Sequence, residues 1–80
     1  MSRAPLQELD LAALRQELTV YGLIAGDIGT VVFVHMDGAA YEVEFVAADG
    51  RTVAVETLTA DQVEPVAGQY ILHARKHAPV

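Results

Sequence analysis

Asp37-Gly38 and Asp49-Gly50 divide the middle of the chain into three runs that read as β-strands. Asp-Gly between β-branched, apolar runs is a strong hairpin signal, because glycine takes up positive φ at little cost. The first run is Ile28–His35 (IGTVVFVH), the second Ala40–Val46 (AYEVEFV) and the third Thr52–Thr57 (TVAVET). In the second, Tyr41, Val43 and Phe45 alternate with Glu42 and Glu44, as a strand with one dry and one wet face requires. In the third, Val53 and Val55 oppose Ala54 and Glu56. Alternation along the first run places Ile28, Thr30, Val32 and Val34 toward the core and Val31, Phe33 and His35 outward.

The flanks complete the pattern. Leu11, Leu14 and Leu18 recur at helical spacing among good helix formers, so periodicity favours a helix over Leu9–Leu18. Leu9, Leu11 and Ala13 also alternate as a strand does. Gly22 and Gly26 mark turns, and Gly29 reads as a close backbone approach where the sheet bends. Thr59-Ala60-Asp61-Gln62 has the form of one capped helical turn, with Gln62 at the capping-box position. Val63–Val66 then reads as a short closing strand, with Pro65 where a missing N–H is tolerated. This order is that of a mainly β, SH3-like small barrel of about five antiparallel strands, with a short helical turn before the last. The expected division is a flexible leader over 1–8, the β domain over 9–66 and a tail over 67–80.

Eighty residues make one domain, and an apolar fraction of 52% excludes wholesale disorder. No apolar run approaches the ~18 residues of a membrane span, and Met1-Ser2-Arg3-Ala4-Pro5 lacks the apolar core of a secretory signal. With no cysteine in the chain, a cytoplasmic location is expected. Eleven acidic residues against five basic ones give a formal charge of −6. Phosphate backbones repel such a surface, so no nucleic acid is expected; a basic protein face is favoured instead.

Further along, the motifs converge on one family. Tyr21-Gly22-Leu23, Gly26-Asp27-Ile28-Gly29-Thr30-Val31-Val32, Ala40-Tyr41-Glu42-Val43-Glu44-Phe45-Val46, Asp49-Gly50, Thr57-Leu58 and Val63-x-Pro65 stand in order across Leu9–Val66. Together they resemble the short bacterial family known as domain of unknown function 4926. The resemblance implies an SH3-like β fold and makes Leu9–Ala13 the first strand instead of a helix. It carries over no catalytic residue. Where the family usually has an acidic-proline pair, this chain has Leu18-Thr19-Val20. Members look like small partners of neighbouring gene products, some of them toxin-like.

No side chains assemble an obvious catalytic device. Nucleophilic catalysis needs an activated Ser, Thr, Cys or Lys beside a base, and no such pair stands out, so the chain reads as non-enzymatic with no cofactor. His73 and His77 are spaced i, i+4 but lack a third ligand nearby, and read as solvated tail residues in preference to a metal site. The candidate binding residues are Val31, Phe33 and His35 on β-type sequence and Glu42 and Glu44 beside them: an apolar anchor with carboxylates to steer a basic partner, or else a strand whose Phe33 is covered within the chain by Tyr70-Ile71-Leu72. The expected function is non-catalytic protein binding, as an acidic inhibitor or antitoxin-like partner of a neighbouring gene product. The alternatives are a ribosomal-type small barrel that binds nucleic acid, and a structural unit that self-assembles through Tyr70, Ile71 and Leu72.

Overall fold

The computed structural model describes residues 6–66, and its secondary structure is almost wholly β. Among the described residues, five strands occur in the order β1 (Leu11–Leu14), β2 (Ile28–His35), β3 (Ala40–Val46), β4 (Thr52–Thr59) and β5 (Val63–Pro65). All pairings are antiparallel, in one open sheet ordered β4-β3-β2-β1-β5. Three short 3-10 turns are the only helical elements among the described residues. One of them, Ala60–Gln62, joins β4 to β5 and so connects the two edges of the sheet. The arrangement is consistent with the SH3-like small barrel expected from the sequence.

The first segment is a strand, as the family resemblance implies and against the helical periodicity. Leu11–Leu14 pairs with β2 on one side and β5 on the other. Backbone bonds extend the first of these pairings upstream, from Leu9 N to Val31 O (2.7 Å) and from Val31 N to Asp10 O (2.9 Å). Two neighbouring strands offer each residue a ladder partner, and Gly22 and Gly26 would cut any helix short. Propensity loses to these tertiary bonds.

The hairpins fall at the Asp-Gly pairs. Between β2 and β3, Met36, Asp37 and Gly38 all have positive φ (49°, 59° and 106°), and Ala39 N closes the turn on His35 O at 3.1 Å. Aspartate tolerates this left-handed region and glycine suits it, whereas Met36 is held there by the turn. Between β3 and β4, Gly50 has φ 91° and donates to Ala47 O at 2.9 Å. Asp49 accepts from Arg51 N at 3.0 Å and from Arg51 Nε at 2.8 Å. These bonds, the backbone one first, hold the Asp49 carboxyl below its ordinary range.

The core lies on one face of the curled sheet. β3 contributes Tyr41, Val43 and Phe45, β1 contributes Ala12 and Leu14, and Val31, Leu58 and Val63 complete it. Leu6 joins them at 1% exposure, although its position suggested a loose leader. Burying a leucine in this way contributes about 1.5–3 kcal/mol. The turn that follows is tied by Asp10, whose N–H donates to Gln7 O (3.0 Å) and whose Oδ2 accepts from Gln7 N (2.9 Å).

Gly29 shows what closes this core. A Cβ there would lie 2.6 Å from Val43 Cγ1, 2.7 Å from Glu44 O and 2.9 Å from Phe45 Cδ1. Only glycine lets β2 approach β3 this closely.

Candidate functional site

The outward face of β2, β3 and β4 carries one part of the exposed apolar surface, Val32, Phe33, Val53 and Val55. Val31 was expected to point outward; it is wholly buried, at 0% exposure. The cause is a β-bulge. Val31 pairs with Val43 but Phe33 pairs with Glu42, so Val32 is an extra residue with no partner of its own. An inserted residue reverses the alternation on either side of it. Beyond the bulge the expectation holds: Phe33 and His35 face outward and Val34 packs against the core. Ile28, before it, and Val32, within it, are exposed where core positions were expected.

Phe33, His35 and Glu42 form one cluster. Phe33 is 49% exposed, and its ring meets the His35 imidazole edge to face at 4.7 Å between centroids. His35 Nε2 donates to Glu42 Oε2 at 2.9 Å. A carboxylate can only accept, so this contact places the ring proton on Nε2. Glu44, the next outward residue of β3, accepts from Thr52 Oγ1 at 2.8 Å. The two glutamates therefore share a face, as the alternation in the sequence suggested, but each already has a local partner. Val32, Val53 and Val55 flank them on the same side.

A second feature, the cleft where the loop before β2 meets β4, was not read from the sequence. Residues 15–27 form a long loop between β1 and β2, pinched by reciprocal bonds between Leu18 and Leu23 (2.9 and 3.2 Å). Gly22 (φ 72°) ends the 3-10 turn Thr19–Tyr21 within it. The Tyr21 hydroxyl reaches across to the Glu56 carboxylate of β4. That hydrogen bond, and then the negative charge of Glu56, push the tyrosine above its ordinary value of 10.0. Glu17, Leu18, Thr19, Val20, Tyr21 and Glu56 line the resulting cleft of about 340 Å³. Val20 is almost fully exposed at its rim. The Tyr21–Glu56 contact joins distant parts of the chain, and only the strand register brings them together.

Charge is distributed unevenly. All eleven acidic residues lie among the described residues, with only Arg15 and Arg51 as lysine or arginine there. Arg15 pairs with Glu64 (3.6 Å) and Arg51 with Asp49 (2.8 Å), so both arginines are already engaged. Glu17 and Glu56 have no cation opposite them among the described residues. The described residues contain no group of three His, Cys, Asp or Glu arranged to hold a metal, and no helix long and apolar enough to cross a membrane. His73, His77 and the Tyr70-Ile71-Leu72 segment lie outside the described residues.

A family model described as "Domain of unknown function (DUF4926)" matches residues 8–65. The chain belongs to this family. The DUF4926 match runs from just before β1 to the end of β5, so it covers every strand and the whole outward face. No curated protein and no solved structure matches the chain.

Proposed function

We propose that this DUF4926 domain is a non-catalytic protein-binding module that caps or inhibits a partner with a basic face. The observation that carries the reading is the outward patch of β2 and β3. Phe33 stands half exposed beside Val32, with Glu42 and Glu44 on the adjoining strand. Exposed aromatics in such a setting act as anchors, and surrounding carboxylates speed encounter with a cationic surface. Val31 plays no direct part; it supports the patch from the core.

The excess of acids over arginines among the described residues favours a basic protein over nucleic acid. The partner is expected to be a product of a neighbouring gene, and the location cytoplasmic. The test is a double variant, Phe33→Ala with Glu44→Lys, assayed against the partner captured by the unaltered chain. Affinity should fall by at least about tenfold, the range for loss of one anchor. Binding that survives both changes would remove this patch as the interface.

A further inference from the structure

We propose that the open edge of β4 accepts an extended strand of a basic partner protein, with a lysine or arginine of that strand set opposite Glu56. The inference rests on the protein-binding reading and adds to it a docking mode and a partner chemistry.

The sheet has two edges, and they differ. β5 offers three residues and ends at Pro65, which has no N–H to share. β4 offers eight residues, Thr52–Thr59, with no proline, lysine or arginine among them. Such an edge is a template for another strand unless something blocks it.

Among the described residues, the backbone shows which groups of β4 are free. Ala60 N donates to Ala39 O at 3.1 Å, toward β3, while Thr59 N turns away and donates to Gln62 Oε1 at 2.7 Å. Main-chain groups alternate along an antiparallel strand. Ala54, Glu56 and Leu58 therefore bond to β3, and Val55 and Thr57 direct their N–H and C=O outward along the edge. The capping turn occupies Thr59, and a bulge interrupts the strand near Val53, where Phe45 pairs with Ala54 but Val46 with Thr52. Val55 and Thr57 are left as the docking pair.

Side chains supply the specificity, as in other strand-addition complexes. Residues of an added strand opposite Val55 and Thr57 would extend the outward face, where Val55 is 48% exposed. The residue opposite Glu56 would point the other way, toward the cleft walled by Leu18, Val20 and Tyr21. That position holds the Glu56 carboxylate, with Glu17 elsewhere in the lining, and neither is paired with a cation among the described residues. A long cationic side chain satisfies it: the stem lies on the apolar wall and the head meets the carboxylates. A carboxylate there is repelled. A second copy of this chain is a poor occupant: centred on Glu56, two β4 strands oppose like charges, and the described residues are strongly acidic throughout.

The test uses the full chain and two short synthetic peptides, one alternating valine or threonine with arginine and one with glutamate in place of arginine. Hydrogen exchange read by NMR should show the Val55 and Thr57 amides open in the free chain. The arginine peptide should slow their exchange by at least about tenfold and leave β5 unchanged. Glu56→Gln should weaken its binding by up to about fivefold, the upper range for a cross-strand pair of opposite charge. Val55→Pro should abolish protection while keeping the fold, because that amide faces away from β3. Should Val55→Pro fail to fold, the peptide pair and Glu56→Gln still decide. Equal binding of the glutamate peptide, no protection by the arginine peptide, or amides already protected in the free chain would each overturn strand addition. So would self-association through β4 seen by sedimentation. If the edge fails while Phe33→Ala with Glu44→Lys still releases the captured partner, the binding-module reading stands without it.

Discussion

At Gly29 a single methyl group decides whether β2 can lie against β3. The nearest atoms include the Glu44 carbonyl oxygen, which is backbone and cannot rotate aside. Gly29→Ala should therefore lower stability by about 1–3 kcal/mol, the usual range for overpacking a core. The denaturation midpoint measures it; an unchanged midpoint would show that the strands separate freely. The sequence marks Gly29, Gly22 and Gly26 as backbone devices, and the close contact and the positive φ values bear this out. Other residues were less legible. Leu6 sits alone beside Pro5 with no periodic companion, so nothing local signals its place in the core. Tyr21 and Glu56 carry no mutual signal at all, since their contact depends on how the loop folds over the register of β3 and β4.

At the level of elements, strand positions were legible because turn chemistry and alternation agree. β2 and β3 begin and end where the sequence places them, and β4 runs on from Thr57 to Thr59. The capping box between Thr59 and Gln62 is present as well. What alternation cannot show is a bulge, because an extra β-branched residue reads like any other. Val32 is such a residue, and it alone reverses the faces of Ile28–Val31 relative to the sequence expectation. This gives a test. Removing Val32 joins Val31, paired with Val43, directly to Phe33, paired with Glu42, and so restores plain alternation. The deletion should keep the fold, with Val31 inside and Phe33 outside, at a cost of less than about 2 kcal/mol. Removing Val43 instead should reverse half of β3 and unfold the chain. Circular dichroism and the dispersion of amide NMR signals distinguish the two outcomes; unfolding on loss of Val32 would mean that the bulge is required for closure.

For the whole molecule, charge sets the balance between stability and association. The formal charge is −6, and the described ion pairs are exposed or half-buried ones, of which the exposed contribute little individually. Self-repulsion therefore outweighs pairing in the folded chain. Salt shortens the reach of this repulsion from about 30 Å at 0.01 M to about 8 Å at 0.15 M. Thermal midpoints should rise by about 2–6 °C across that range, equivalent to less than about 1 kcal/mol. The same salt should slow encounter with a basic partner, because screening removes the steering that the carboxylates supply. The two trends have opposite sign and one cause. Calorimetry of the free chain and stopped-flow association with the captured partner test them separately. A midpoint that falls with salt would show that ion pairs, and not repulsion, dominate the folded state. An association rate indifferent to salt would mean that the acidic surface serves solubility alone and that recognition depends on the apolar contacts of Phe33.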